Sequence, residues 1–236
     1  MSEGKKAIVV GGSKGIGFAI AKDLAARGET VLVTSRDPER AQSAAREIGE
    51  AASGLALDLA APEGIAAALA DVGPVDHLVI GAFEAIVYGN PVKRFSVDAA
   101  RRLPTIKLVG YIETVHALLP RFAPGGSVVL IGGQARDYPS VGSVMVTALN
   151  SGVTALVRSL AMELAPLRVN AIHPGLVVDS PRWAAAPELT ERVRERTWSG
   201  HPATMADCCG VVRFLLDSPA INGVNLPIDG GFVGLA

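Results

Sequence analysis

A glycine-rich turn between a buried strand and a helix constrains the fold of this chain more than any other feature. The turn spans residues 11–17 with the sequence GGSKGIG and follows the apolar run 7–10. Glycines suit such a turn because a Cβ atom would block the tight backbone, the approach of phosphates or the packing of helix on strand. Free backbone N–H groups at the helix start would hold a pyrophosphate. The context predicts a dinucleotide site; an ordinary glycine-rich turn is the alternative.

Strands and helices alternate along the rest of the chain. Apolar runs and helical periodicity predict helices between successive strands, among them a long helix over 99–118 and one within 142–164. This alternation implies right-handed crossovers and a parallel sheet that is covered on both faces. We therefore predict an α/β fold, a Rossmann-type doubly wound parallel sheet flanked by helices, as a single domain over 1–236. The predicted strands are 7–10, 30–34, 54–57, 75–82, 127–131, 168–172 and 224–228.

Charge and composition limit the partners of this chain. The 22 basic and 23 acidic residues give a net charge of -1, and no like-charged block marks a nucleic acid or an anionic membrane as partner. A small-molecule partner is expected at loops 83–97 and 173–204. The uncharged stretch 140–157 is long enough for a membrane span, but its polar residues favour a buried helix. The first twelve residues lack a secretory signal core, so we predict a cytoplasmic protein.

Several motifs resemble the short-chain dehydrogenase/reductase family. The turn has that family's G-x-x-x-G-x-G spacing, and the segments RVNAIHPG at 168–175 and LPIDGGF at 226–232 are similar to its sixth strand and its carboxyl-terminal segment. Asp58-Leu59 looks like the family's adenine-contacting pair. The resemblance covers essentially the whole chain. It implies a nicotinamide cofactor, interconversion of a small carbonyl compound and an alcohol, and a homodimer or homotetramer built through the two long helices.

The end of the second predicted strand indicates which cofactor is preferred. An NAD-binding protein would offer a carboxylate there to the ribose 2′-hydroxyl, but the sequence reads Thr-Ser-Arg at 34–36, and the first carboxylate is Asp37. Arg36 is suited to a 2′-phosphate, and Lys14 adds a second cation. NADP(H) is therefore favoured over NAD(H), with solvated surface charges as the alternative. The residues assigned to the cofactor are Gly11, Ser13, Lys14, Gly15, Ile16, Gly17, Ser35, Arg36, Asp58, Leu59, Gly81, Ala82, Asn150, Pro174 and Gly175.

The resemblance fails at the positions that carry the family's chemistry. The family uses Asn, Ser, Tyr and Lys to handle the proton of the substrate oxygen. When the chain is aligned from the segment 158–165, the tyrosine and lysine positions fall on Val146 and Asn150, the serine on Gly133 and the asparagine on Lys107. No tyrosine follows Tyr138 and no lysine follows Lys107. The usual catalytic residues are therefore expected to be absent, and no residues indicate a metal site.

One substitution suggests a replacement for the missing acid. Lys107 stands where the family has Asn and Asn150 stands where it has Lys, so the ammonium group can occupy a similar volume from the opposite helix. A desolvated lysine can act as an acid or base; a salt-bridged or solvated lysine is the alternative. Tyr138 could supply a phenol to the same cavity, with Tyr111 as a weaker candidate. His173 is interpreted as structural.

Three functions remain open from the sequence. The first is an NADP(H)-dependent oxidoreductase with an atypical active site, in which Lys107, Asn150 and Tyr138 are the catalytic candidates. The second is a non-redox NADP(H)-binding regulatory or sensor protein, a function that would explain the loss of all four residues. The third is a lyase or isomerase that uses the same pocket without hydride transfer.

Overall fold

The computed structural model describes residues 4–84, 91–181, 183–184 and 186–232. A seven-stranded parallel sheet with the order β3-β2-β1-β4-β5-β6-β7 forms its centre. The order reverses between β1 and β4, where a cleft opens at the carboxyl ends of the strands. The predicted fold class, a Rossmann-type doubly wound sheet, is confirmed. Parts of the two loops that were expected to face the substrate, residues 85–90, 182 and 185, lie outside the described residues.

The described elements follow one another in the alternating order expected for crossover connections. The strands are β1 Lys6–Val10, β2 Thr30–Ser35, β3 Ala52–Ala56, β4 Val75–Ile80, β5 Phe122–Ile131, β6 Arg168–Pro174 and β7 Asn225–Ile228. The α-helices are α1 Gly15–Ala26, α2 Pro38–Ile48, α3 Ile65–Ala68, α4 Val97–Pro104, α5 Gly110–Leu118, α6 Val144–Glu163, α7 Pro187–Glu195 and α8 Met205–Asp217.

The sheet separates two hydrophobic cores, because successive side chains of a strand point to opposite faces. In β1, Ile8 and Val10 pack into the core that α5 and α6 cover. Ala7 and Val9 face the other core, under α1 and α8. All four β1 side chains are at most 1% exposed. The strand is therefore fixed on both faces, which holds the turn that follows it in place.

The long helix predicted over 99–118 is present, but its winding changes in the middle. Thr105–Val109 forms a π-helical segment between α4 and α5. Pro104 precedes it inside the helix. Proline has no N–H for the i→i−4 hydrogen bond, and its ring clashes with the carbonyl one turn back. The widened turn accommodates this disruption, and its middle residue is Lys107.

Helix α6 is long and apolar enough, at 20 residues and a hydropathy of 1.3, to cross a membrane by length and composition alone. Its inner face carries the buried side chains of Val146, Leu149, Asn150, Val153, Val157 and Ala161. Val153 and Val157 are fully buried in the core between α6 and the sheet. This packing favours a core helix, as the sequence predicted.

Candidate functional site

The glycine turn lies at the mouth of the cleft, and Gly11, Gly12 and Gly17 have no room for a side chain. Gly11 has a φ of +78°, and a Cβ there would come within 2.7 Å of the Cα of Ala82 at the end of β4. A Cβ on Gly17 would meet the carbonyl oxygen of Gly11 at 2.4 Å. The turn therefore packs tightly between β4 and the first turn of α1. Such close backbone approach is what a dinucleotide-binding turn requires.

The start of α1 is suited to an anion. Its first helical hydrogen bond runs from the Phe18 N–H to the Lys14 carbonyl at 3.3 Å, so the N–H groups of the residues before Phe18 point out of the helix end. The first turn contains no acidic residue. Lys14 is exposed at this end. The cradle thus fits the pyrophosphate of a dinucleotide.

Asp37, the first carboxylate after β2, is engaged by its own helix. It is the N-cap of α2 and accepts hydrogen bonds from the N–H groups of Glu39 and Arg40, at 3.0 and 3.3 Å. Its other oxygen lies 3.3 Å from the Arg40 guanidinium. This carboxylate is therefore used in capping, and Arg36 is the charged group that the end of β2 presents to the cleft.

Arg36 already has a partner, which the sequence did not indicate. Glu84, four residues beyond the end of β4, contacts Arg36 through Oε1. Arg102 of α4 holds the same carboxylate in a bidentate pair, with Nε–Oε2 and NH2–Oε1 distances of 2.9 Å. The Arg102 guanidinium and, to a lesser extent, Arg36 hold the pKa of Glu84 below its usual value. A carboxylate bridge therefore crosses the cleft between β2 and α4.

The other residues assigned to the cofactor line or support the same edge of the sheet. Asp58 is exposed just beyond β3 and accepts a hydrogen bond from the Ala60 N–H at 2.9 Å. Leu59 is 3% exposed and packs in the core. The Gly81 N–H extends the pairing of β4 with β1 through a bond to Val10, and the Gly175 N–H bonds to the Ile228 carbonyl. Ser13, Ile16, Ser35, Ala82 and Pro174 also lie at the glycine turn or at strand ends.

Lys107 and Asn150 meet in the interior at the other end of the cleft. Lys107 is 8% and Asn150 is 3% exposed. The ammonium group donates to Asn150 Oδ1 at 2.8 Å and to the Gly132 carbonyl at 3.5 Å. Both acceptors are neutral, and within the described parts of the chain no carboxylate pairs with this lysine. Burial consequently lowers the Lys107 pKa to about 8.

The positions that align with the family's catalytic residues converge on one pocket. This pocket is narrow, with a free volume of about 10 Å³, and it is bounded by Lys107, Val146 and Asn150 together with Ala82, Phe83, Glu84, Leu103, Ile106 and Leu149. The Nζ atom of Lys107 lies 5.8 Å from the ring centre of Phe83. Gly133 is adjacent, since a Cβ there would lie 2.8 Å from Asn150 Nδ2. A serine at 133 would therefore crowd the amide that holds the lysine.

His173 supports the pocket from behind. Its Nδ1 accepts from the Gly133 N–H at 3.2 Å, so Nε2 carries the proton and donates to Asn225 Oδ1 at 2.9 Å. Burial, with a smaller contribution from nearby cations including Lys107, lowers the His173 pKa to about 4. Both ring nitrogens are occupied in the neutral form. The interpretation of His173 as a structural residue agrees with this geometry.

The two tyrosine candidates lie in different surroundings. Tyr111 is 1% exposed, donates to the Ala82 carbonyl at 3.1 Å, and has its pKa raised by burial. Its proton is therefore held tightly. Tyr138 is 38% exposed and packs edge-to-face on Phe232, with 5.7 Å between ring centres. The structure places Tyr138 outside the residues that line the Lys107 pocket, contrary to the expectation that its phenol shares that cavity.

Comparison with known proteins gives consistent results over nearly the whole chain. A family model described as "Enoyl-(Acyl carrier protein) reductase" matches residues 10–233. Carbonyl reductase family member 4 of Danio rerio is 33% identical over 235 residues, which cover 95% of this chain and 96% of that protein. A dehydrogenase/reductase structure from Sinorhizobium meliloti 1021 has a TM-score of 0.87 at 30% identity and covers 97% of this chain and 94% of its own.

A further solved structure contains a nicotinamide cofactor. The 3-ketoacyl-(acyl-carrier-protein) reductase from Brucella melitensis, complexed with NADH, has a TM-score of 0.83 at 26% identity. It covers 98% of this chain and 99% of that chain. The chain is thus similar to reductases of carbonyl compounds along its full fold and not only at the glycine turn.

Proposed function

This chain belongs to the short-chain dehydrogenase/reductase family, and we propose that it is an NADP(H)-dependent oxidoreductase with an atypical active site in which Lys107 handles the proton. Its substrate in this proposal is a small carbonyl compound or the corresponding alcohol. The carrying observation is the buried ammonium group of Lys107, which donates to Asn150 at 2.8 Å and lines a pocket that Ala82 connects to the glycine turn.

The glycine turn and Arg36 support NADP(H) as the cofactor. The N–H groups before Phe18 would hold the pyrophosphate, and Arg36 would pair with the 2′-phosphate. Because Asp37 caps α2, it is poorly placed to accept a bond from the 2′-hydroxyl of NAD(H). When bound, NADPH supplies the hydride for the carbonyl carbon.

Lys107 supplies the proton in this proposal. Reduction of a carbonyl group leaves charge on its oxygen, which an acid must neutralise. Lys107 has three N–H groups, and its two acceptors leave one for a substrate oxygen in the pocket. With a pKa of about 8, the amine is protonated at neutral pH and still releases its proton readily. Asn150 orients the amine through its carbonyl oxygen.

The pocket walls indicate the substrate class. Leu103, Ile106, Val146 and Leu149 are all at most 5% exposed, and the space that they enclose is narrow. These apolar walls favour uncharged substrate groups, because burying a charge without a partner is unfavourable. The polar groups of Lys107, Asn150 and Glu84 line the rest of the pocket. Small apolar aldehydes and ketones are therefore the proposed substrates.

The proposal is tested by following NADPH oxidation with a panel of small apolar aldehydes and ketones, with binding of NADPH and NADH measured separately by titration calorimetry. Turnover is expected for the wild type and its loss in Lys107→Met, whereas Lys93→Met, at an exposed lysine, should retain it. Tight NADPH binding with no turnover on any carbonyl would support the regulatory or sensor alternative. Absence of binding by either nucleotide would overturn the proposal.

We also propose that the chain forms a homodimer or homotetramer. Val109, Ile112 and Met162, on or next to the long helices α5 and α6, are 49%, 42% and 81% exposed. Such apolar side chains are suited to burial against a second copy. Analytical ultracentrifugation distinguishes this from a monomer, which would contradict the proposed assembly.

A further inference from the structure

Two arginines from separate elements converge on a single oxygen atom at the adenosine end of the cleft. Arg36 follows β2 and Arg102 lies in α4, and both contact Oε1 of Glu84. Arg102 makes a second contact, from Nε to Oε2 at 2.9 Å. The two guanidinium groups are therefore positioned to hold one small anion between them.

The charges at this point favour an anion of higher charge than a carboxylate. Two guanidinium groups share one carboxylate, which carries a single negative charge, whereas a phosphomonoester carries about -1.5 to -2 at pH 7 and has three acceptor oxygens. The side chains of Arg36 and Arg102 are 57% and 43% exposed, so a ligand can reach them. The bond to Glu84 raises the Arg102 pKa, and Asp58 adds a smaller electrostatic contribution, so Arg102 lies near the residue assigned to adenine.

The bridge is a poor candidate for a purely structural contact. Pairs between exposed ions contribute little to stability because water and salt screen them. Glu84 is 19% exposed, but both of its partners are open to solvent. An exchange of its carboxylate for another anion would therefore leave the fold intact.

We propose that Arg36 and Arg102 together form the binding site for the 2′-phosphate of the adenine dinucleotide, and that Glu84 occupies this site until the phosphate displaces it. The inference rests on the proposed NADP(H) function and adds to it a second cation and an internal competitor. NADH has no 2′-phosphate and cannot displace Glu84. Glu84 thereby reduces the advantage of NADPH, and Arg102 increases it.

Adenosine 2′,5′-bisphosphate and adenosine 5′-monophosphate are the probes that isolate this site, because neither contains nicotinamide. Titration calorimetry on the full chain at low salt compares wild type, Arg102→Gln, Glu84→Gln and, as a control, Arg101→Gln at the exposed neighbouring arginine. Arg102→Gln should weaken bisphosphate binding about tenfold, and Glu84→Gln should strengthen it by a similar factor. The monophosphate affinity should change less than about twofold in each variant.

Two results would overturn the inference. Unchanged bisphosphate affinity in Arg102→Gln would show that Arg102 serves only Glu84, and weaker binding in Glu84→Gln would show that Glu84 positions Arg36 instead of competing for it. Circular dichroism confirms that each variant is folded. Because the probes undergo no reduction, a failure to reduce carbonyls would contradict the proposed activity and leave this measurement valid. Conversely, NADH binding without bisphosphate binding would contradict the 2′-phosphate site alone.

Discussion

The positively charged side chains at the two ends of the cleft have opposite surroundings. At the end assigned to adenosine, Arg36 and Arg102 are exposed and share a carboxylate, Glu84, whose pKa is lowered by Arg102 and Arg36; Glu84 also borders the Lys107 pocket. At the pocket end, Lys107 is buried, its acceptors are an amide and a backbone carbonyl, and its pKa is lowered to about 8. The two exposed arginines are paired with a carboxylate, and the partners of the buried lysine among the described residues are neutral.

In the proposed function, this difference assigns nucleotide selection to the exposed arginines and proton transfer to the buried lysine. Ion pairs at the surface can exchange partners at a small cost in free energy, which suits the selection of one nucleotide over another. A buried amine without a counter-charge has an altered proton affinity, which suits proton transfer near neutral pH. Variants at the two ends should therefore affect different measurable quantities.

The largest expected contrast is kinetic. Lys107→Met should lower kcat for carbonyl reduction by about 100-fold to 1,000-fold, because it removes the proposed general acid, with little effect on the KM for NADPH. Arg36→Gln should raise the KM for NADPH about tenfold with kcat nearly unchanged, because it weakens only a binding contact. Steady-state kinetics with a saturating carbonyl substrate measures both. If Arg36→Gln lowered kcat as strongly as Lys107→Met, the separation of the two ends would be wrong.

The next largest expected effect is on stability: Lys107→Met should make the fold more stable although it lowers activity. The folded-state pKa of Lys107 is about 8 and lies below its ordinary value of 10.5, so the buried ammonium destabilises the fold by about 3 kcal/mol at pH 7. The loss of the donor to Asn150 offsets about 1 kcal/mol. Lys107→Met should therefore raise the free energy of unfolding by about 2 kcal/mol, as urea denaturation would show. This advantage should shrink from pH 8 to pH 10, since the wild-type amine loses its proton there; a pH-independent difference would contradict it.

The pH profile of kcat/KM for carbonyl reduction should change slope near the pKa of Lys107. Lys107 must be protonated to donate, so kcat/KM should be constant below about pH 8 and fall about tenfold per pH unit above it. Arg36→Gln should leave this breakpoint in place, because Arg36 lies at the adenosine end. A profile that stays flat to pH 10, measured with wild type and this variant in parallel, would eliminate Lys107 as the acid.

The smallest effect concerns the stability of the carboxylate bridge. Glu84→Gln should change the free energy of unfolding by less than about 0.5 kcal/mol, and that difference should decrease further in high salt. Thermal unfolding at low and high ionic strength measures it, with Asp37→Asn, which alters the cap of α2, for comparison. A loss above about 2 kcal/mol in Glu84→Gln would mean that the bridge holds the fold together.

Much of the fold and part of the site could be predicted from sequence, because the signals are local. Apolar runs and helical patterns predicted the strands and helices, and the glycine turn predicted a dinucleotide site at the start of α1, since each depends on neighbouring residues. The exchange of Lys107 and Asn150 relative to the family stays a prediction, and the structure places their polar atoms 2.8 Å apart. The role of Asp37 as a helix cap was not predicted, although Asp followed by Pro at the start of a helix is typical of an N-cap.

Two features depended on contacts between distant segments. Glu84 and Arg102 are 18 residues apart, and Arg36 is 48 residues before Glu84, so no pattern along the chain joins them. The change of winding in the long helix has a local signal, Pro104. The width of the π turn depends on how α4 and α5 each pack against the core. Sequence periodicity describes the helix on either side and not the turn between them.

The π-helical segment Thr105–Val109 also affects how this chain is aligned with others. A π turn contains one more residue than the α turn it replaces, so its ends keep their places while its middle is displaced. Loss of one residue here would restore an ordinary α turn with Leu103 and Tyr111 still in the core. Lys107 is the side chain whose direction would change, by about 100° for each residue of offset. A single insertion or deletion, without any substitution, is thus enough to move an ammonium group into or out of this pocket.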